Sequence, residues 1–213
     1  MRSSLGPINL IMQLRKHGIH DMRVLRAMEL TARDKFVDAA FLDQAYDDNA
    51  LPIACGQTIS QPYIVAFMTQ QLGVERDDTV LEVGTGSGYQ SAILSHLCKQ
   101  LYSIERFREL QMAASATLNN LGIANVTTII GDGWLGWPPN APYDRIIVTA
   151  AAPELPAALL AQLKVGGRMV LPLGKTRETQ LIVQIDKTDK GLEQEQLIPV
   201  RFVPLVKGRV KRR

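Results

Sequence analysis

The stretch VLEVGTGSGYQ, residues 80–90, decides how the rest of the chain is read. Four residues, apolar except for Glu82, run into a GxGxG turn formed by Gly84, Gly86 and Gly88. An amphipathic segment, YQSAILSHLCKQ, follows it. This is the pattern of a buried strand, a tight turn and a helix. Glycines in such a turn let the backbone come close to a ligand, and the start of the helix offers unpaired N–H groups. Dinucleotide-binding enzymes carry G-x-G-x-x-G at the same junction, so the turn alone does not choose a cofactor.

Outward from this turn the pattern repeats. LYSIE is a second strand and RFRELQMAASATLNNLG a second helix, stopped by Gly122. VTTII is a third strand, and DRIIVTA a fourth after the loop GDGWLGWPPNAPY. PELPAALLAQLKVGG reads as a helix with glycines at its end, followed by the strand RMVLPLG. TQLIVQID and LEQEQLIPVRFV are further strands joined by the turn KTDKG. Short apolar strands alternating with helices imply an α/β fold with a mainly parallel, doubly wound sheet. Ligands of such sheets bind at the carboxyl ends of the strands. Residues 1 to about 50 are helical in pattern. The expected organisation is one domain over 1–206, with a helical N-terminal part (1–75), a cofactor-binding sheet (76–206) and a basic tail (207–213).

The 213 residues suffice for one full hydrophobic core, and 46% apolar with 21% charged residues is an ordinary globular composition. No window has the apolar length of a membrane span, and the N-terminus lacks a secretory pattern. Cys55 and Cys98 stand far apart without CxxC spacing, which predicts neither a disulfide framework nor a metal site, and a cytoplasmic location. The net charge of +3 is a property of the tail. Setting aside its five basic residues leaves 19 basic against 21 acidic, a body charge of −2, so no nucleic-acid partner is expected.

Three acids stand at the carboxyl ends of successive strands: Glu82 before the glycine turn, Glu105 after the second strand, and Asp132 in GDGW after the third. Each has an ordinary structural use as a helix-terminus partner or loop cap. Glu105, 21 residues after Gly84, suits ribose hydroxyls of NAD as well as of other nucleosides. Together the three resemble the site of Rossmann-like S-adenosylmethionine-dependent methyltransferases. That resemblance implies that Gly84, Thr85, Gly86 and Gly88 pack against the amino-acid end of the cofactor, with Glu82 near it. Glu105 takes the ribose, and Asp132 with Gly133 the adenine; the product is S-adenosylhomocysteine.

The N/D-P-P-Y/F motif of amine methylation is absent from the fourth strand, which ends VTAAAPE, and no histidine falls in a triad signature. Ahead of the cofactor region stands GQTISQPY, residues 56–63. On its own it reads as a helix start: Thr58-x-x-Gln61 has capping-box form, Pro62 suits the first turn, and Gly73 the far end. A helix N-terminus also suits an anion.

LPIACGQTISQPYIVAFMTQQL, VLEVGTGSGYQSAILSHL, GDGW, YDRIIVTAAAPELPAALLAQLKVGGRMVLPLG and RFVPLVKG together resemble the protein-L-isoaspartate O-methyltransferase family in its bacterial form, from about Arg33 to Gly208. The resemblance implies that Ser60 of the TIS-x-P motif is the essential active-site residue. Thr58 and Ile59 stand beside it, and Val203 and Leu205 lie along the substrate backbone, where an extended peptide would bind through main-chain hydrogen bonds. The methyl acceptor is then the α-carboxylate of an isoaspartyl residue in a damaged protein or peptide, and the ester closes to a succinimide. A monomer is expected. A carboxylate, with a pKa of about 4, is ionised at neutral pH and needs no general base, so Ser60 is expected to position it rather than form a covalent bond. The alternatives are an adenosylmethionine enzyme acting on a small molecule or RNA, an NAD dehydrogenase, and a module that binds RNA or membrane through the tail. Two features depart from the family pattern: Ala32 where proline is common, and Cys55 where many relatives have a larger residue.

Overall fold

The computed structural model describes residues 6–175 and 178–208. Of the basic tail, Lys207 and Gly208 are described; Arg209, Lys211, Arg212 and Arg213 lie outside the described residues.

The N-terminal part carries α1 (Pro7–Lys16) and α2 (Met22–Leu30), then two short 3-10 turns at Arg33–Phe36 and Ala39–Gln44. The Asp21 carboxylate accepts from Arg23 and Val24 N–H groups and caps α2, satisfying donors a helix start leaves unpaired. A small antiparallel ribbon, β1 (Leu51–Pro52) with β2 (Thr58–Ile59), leads into α3 (Pro62–Leu72).

Strands and helices then alternate as β3 (Thr79–Val83), α4 (Tyr89–Ser95), β4 (Gln100–Glu105), α5 (Arg108–Asn120), β5 (Val126–Ile130), β6 (Tyr143–Val148), α6 (Ala157–Gln162), β7 (Leu163–Leu173), β8 (Gln180–Thr188) and β9 (Gly191–Val200). The sheet order is β5-β4-β3-β6-β7-β8-β9, parallel from β5 to β7 and antiparallel beyond. Alternation along the central strands feeds two cores. Val80, Leu101, Ile147 and Val170 join α1 to α4 on one face; Leu81, Val83, Ile146, Val148 and Met169 join α6 on the other. The direction of winding reverses between β3 and β6, which opens a crevice at their carboxyl ends.

Two helices end earlier than their sequence patterns suggest: α4 stops at Ser95, with Gln100 already in β4, and α6 stops at Gln162. After Gln162 the segment LKVGG belongs to β7, not to α6. A Cβ on Gly167 would sit 2.8 Å from the Asp144 carbonyl, so the residue serves close approach to β6 at an irregular register rather than a helix end. Among the described residues no helix is long and apolar enough to cross a membrane.

Helix α3 is the element that brings GQTISQPY to the sheet. Gly73 ends it in the left-handed conformation (φ +60°), as a C-terminal glycine should. Two arginines of the sheet then take its last carbonyls: Arg145 Nε donates to Gly73 O at 3.0 Å, and Arg168 Nη1 to Gln71 O at 3.0 Å. Cations at a helix C-terminus complement its dipole, so this end of α3 is clamped to β6 and β7.

Candidate active site

Above the carboxyl ends of β3 and β6 lies a cleft of about 900 Å³, counting space open to solvent. Ten of the residues assigned from sequence line it together: Thr58, Ile59, Ser60, Gly84, Thr85, Gly86, Glu105, Gly133, Val203 and Leu205. Residues as far apart as 58 and 205 thus meet in one place.

The floor is the glycine turn. Gly84 sits at φ +101°, and a Cβ there would lie 2.3 Å from Thr149 Oγ1, so no other residue fits. The Thr149 hydroxyl donates to Gly84 O at 2.7 Å, tying the turn to the end of β6. Glu105 is 6% exposed at the end of β4 and braces the turn from the other side. Its Oε2 accepts from Gly86 N–H at 2.9 Å, while Oε1 accepts from Arg106 and Phe107 N–H groups at 2.8 and 3.0 Å. A carboxylate so held is a fixed acceptor at the cleft wall, suited to hydroxyl donors.

Three assigned residues do not line the cleft. Glu82 is 0% exposed and points beneath the turn, so it cannot touch a ligand directly. Its Oε2 accepts from Ser91 Oγ and, at 2.6 Å, from Ser103 Oγ; Ser103 Oγ also lies 2.6 Å from Thr85 Oγ1. The Oε1 atom has no partner among the described residues. Burial pushes this carboxyl up to about 7, against the two serine hydroxyls, which favour the ionised form. Gly88 heads α4 away from the cleft. A Cβ there would lie 3.2 Å from Ala114 Cβ, so its use is to let α4 pack against α5. Asp132 stands next to Gly133, which lines the cleft, but its own carboxylate faces the chain's C-terminal segment. Oδ1 accepts from Trp134 N–H at 3.0 Å and Oδ2 from Gly208 N–H at 2.7 Å.

That segment, 202–208, crosses the cleft as a strap. Ala151 N–H donates to Val203 O and Leu205 N–H to Ala151 O, both at 2.8 Å, and Trp134 Nε1 donates to Leu205 O at 3.1 Å. Gln180 holds Phe202 in the same way, accepting from its N–H at 2.6 Å. Of the main-chain groups a peptide was expected to use, Leu205 thus has both engaged and Val203 its carbonyl, whereas the Val203 N–H has no partner among the described residues. Pro204, facing the other way, has no N–H. Val203 and Leu205 both line the cleft, and of their four main-chain groups the Val203 N–H alone has no partner among the described residues.

On the opposite wall, Thr58 and Ile59 are held in the two-residue ribbon, Pro52 opposite Thr58 and Leu51 opposite Ile59. The capping box expected from Thr58 and Gln61 does not form. The N-cap of α3 is Gln61, without a side-chain bond of its own to the helix. Asp48 caps instead: its Oδ1 accepts from Tyr63 N–H at 2.8 Å and its Oδ2 from Gln61 Nε2 at 2.9 Å. The start of α3 thus already holds a carboxylate, and it is the chain's own. An incoming anion would meet the turn before the helix, at Ser60. The Ser60 hydroxyl has no hydrogen bond among the described residues, and Ser60 lines both the cleft and an adjoining hollow. Among the described residues lining that hollow the single charged one is Arg201.

Sequence reasoning missed Thr149, which lines both spaces; its signal was its place at the end of β6, the position searched only for an amine motif. It also missed Asp48 and the buried Arg33, whose Nη2 donates to Ser60 O at 3.1 Å. Nothing local marks either residue.

The whole arrangement has close counterparts. The family model for protein-L-isoaspartate(D-aspartate) O-methyltransferase (PCMT) matches residues 7–210. A protein-L-isoaspartate O-methyltransferase of Parvibaculum lavamentivorans is 57% identical over 206 residues, 96% of this chain and 93% of that one. One from Paracoccus denitrificans is 52% identical over 195 residues, covering 92% and 90%. A solved protein-L-isoaspartate O-methyltransferase superposes with a TM-score of 0.85 at 30% identity, over 93% of this chain and 65% of that one. A Plasmodium falciparum structure described as a "putative protein-L-isoaspartate O-methyltransferase" in complex with S-adenosyl-L-homocysteine gives 0.82 at 25% identity over 93% and 97%. With a family model spanning residues 7–210 and relatives above 50% identity over about nine-tenths of their length, the chain belongs to the protein-L-isoaspartate(D-aspartate) O-methyltransferase family.

Proposed function

We propose that this chain methylates the free α-carboxylate of L-isoaspartyl residues in damaged proteins and peptides, starting their repair through a succinimide. One observation carries the reading: the glycine turn with Glu105 and the TIS turn with Ser60 face one continuous cleft. The residues fit S-adenosylmethionine as cofactor. Glu105 is a braced carboxylate for ribose hydroxyls, Gly133 packed on Val83 forms a cleft wall next to Asp132 for a flat ring, and the turn at 84–86 brings main-chain groups to the amino-acid end. When bound, the cofactor supplies an electrophilic methyl group on a positively charged sulfur.

The chain's own task is then positioning. The substrate carboxylate is itself the nucleophile, so no residue has to remove a proton. Ser60, with its hydroxyl unengaged, donates a hydrogen bond that orients one carboxylate oxygen and leaves the other free. Fixing such a geometry is worth effective molarities on the order of 10⁵ M or more. The hollow beside Ser60, with Arg201 as the single charged residue among the described ones lining it, supports an anionic acceptor rather than a cationic or neutral one. Because Val203 and Leu205 are apolar and the Val203 N–H left open is a main-chain group, little on the strap reads the substrate's sequence. That suits an enzyme accepting many damaged proteins, as a monomer in a reducing cytoplasm where Cys55 and Cys98 stay free thiols.

The test uses a peptide carrying one L-isoaspartyl residue and its L-aspartyl twin, with base-labile methyl ester as readout. Methylation of the isoaspartyl peptide alone is expected. Equal labelling of the two, or none, would overturn the reading. Ser60→Ala should bind S-adenosylhomocysteine as the parent does and lose most of the transfer.

A further inference from the structure

Arg33 is the largest side chain that the fold buries completely, at 0% exposure. Its guanidinium has no carboxylate within ion-pair distance among the described residues. It donates instead to three main-chain carbonyls, two in the loop 45–49 and one in the turn before α3: Nη1 to Ala45 O at 2.7 Å, and Nη2 to Asn49 O at 3.0 Å and Ser60 O at 3.1 Å. Its remaining face lies against the ring of Tyr89, with the guanidinium carbon 5.7 Å from the centroid. Tyr89 is the first residue of the helix that leaves the glycine turn and itself lines the cleft.

A buried cation is costly to keep without a charged partner, and desolvation here lowers the guanidinium below its ordinary pKa. If the loops 45–49 needed only to be tied down, neutral donors could do it. What an arginine adds is a rigid planar fork reaching several acceptors at once, with a flat face for an aromatic ring. In this fold the fork ends on the residue whose hydroxyl faces the acceptor, and the flat face ends on the helix that carries the donor side.

We infer that Arg33 is a positioning residue that sets the register between the Ser60 turn and the cofactor turn, so that the rate of methyl transfer depends on it although it touches neither reactant. This rests on the reading of Ser60 given above. A displacement of about 1 Å in an oriented reaction costs on the order of 100-fold in rate. The inference therefore expects an effect on kcat, not on the binding of either partner.

The test is a double-mutant cycle on the full chain with an isoaspartyl peptide, run well below the melting temperature of every variant. Arg33→Met should lower kcat by about 30- to 100-fold, leaving the Kd for S-adenosylhomocysteine and the peptide KM within about threefold. Arg33→Lys, which keeps the charge and part of the donors, should fall between and serves if Arg33→Met does not fold. In the Ser60→Ala background the same change should slow transfer by less than about threefold, because the two residues act through one contact. A merely structural role predicts lower melting temperatures with wild-type kcat, or losses that multiply in the double variant; either would overturn the inference. Ser60→Ala at the wild-type rate would overturn the reading of Ser60 and this coupling with it. A slow Ser60→Ala beside a fast Arg33→Met would overturn the coupling alone.

Discussion

Replacing Glu82 with glutamine should change how the protein's stability depends on pH. The carboxyl is wholly buried, and burial raises it from 4.5 to about 7. The folded state therefore holds this proton more tightly than the unfolded chain does. The resulting stabilisation is complete below pH 4.5 and is lost as pH rises through 7. At about 1.4 kcal/mol per pH unit, the side chain should cost the fold roughly 2 to 3 kcal/mol between pH 5 and pH 8. Glutamine cannot ionise. It keeps an oxygen for Ser91 and Ser103, but its amide nitrogen falls where Oε1 has no partner, an unmet donor worth about 1 to 3 kcal/mol. That penalty is the same at every pH, so the slope is the quantity to read. Urea unfolding of parent and Glu82→Gln at half-unit steps from pH 5 to 8 should show the parent losing roughly 2 to 3 kcal/mol relative to the variant. Parallel curves across that window would refute the assignment of a raised, buried carboxyl under the glycine turn.

Asp48→Ala should lower stability by about 1 to 2 kcal/mol in a urea titration, because it removes the cap of α3; an equal loss in Thr58→Ala would mean the cap lies there instead. Glu105→Ala should weaken S-adenosylhomocysteine by about 10- to 100-fold in calorimetry, since it removes both an acceptor and the brace on Gly86 N–H. An unchanged Kd would remove Glu105 from the site. Gly133→Ala would place a Cβ 2.4 Å from Val83 Cγ1 and 3.4 Å from Leu205 Cδ1, so the cleft wall must shift. It should weaken the same ligand by about 10-fold, on the order of 1.4 kcal/mol, and wild-type affinity would show that the wall yields freely.

How far the site was legible depended on how local each cause is. The glycine turn was visible because a strand, three glycines and a helix are contiguous, and backbone sterics alone demand that pattern. Glu105 and Gly133 were open to the same local reading, Glu105 ending a strand and Gly133 standing in the loop three residues beyond one. Glu82 was misplaced by proximity to the turn. Alternation puts Val80 and Glu82 on the face opposite Leu81 and Val83, and what covers that face is α4 with Ser91. The helix over 62–72 was correctly bounded by Pro62 and Gly73, yet its cap came from Asp48, 15 residues before Tyr63. The overrun of α6 into LKVGG had a similar origin, since Gly167 answers to the backbone of β6 and not to its own neighbours.

By its motifs, from TISQP to GDGW, the sequence resembled the family to which the chain belongs, and by itself it determined the α/β alternation and the glycine turn. These follow from periodicities and turn chemistry that act within a few residues. Only the tertiary structure decided which carboxylates face the cleft, that Val203 O and Leu205 N–H of the strap are paired to Ala151, and that Arg33 carries its charge inside the protein to grip Ser60 O. Each is a pairing between segments remote in sequence. A buried charge or a spent N–H is defined by what comes to lie against it, and the chain acquires those neighbours only on folding.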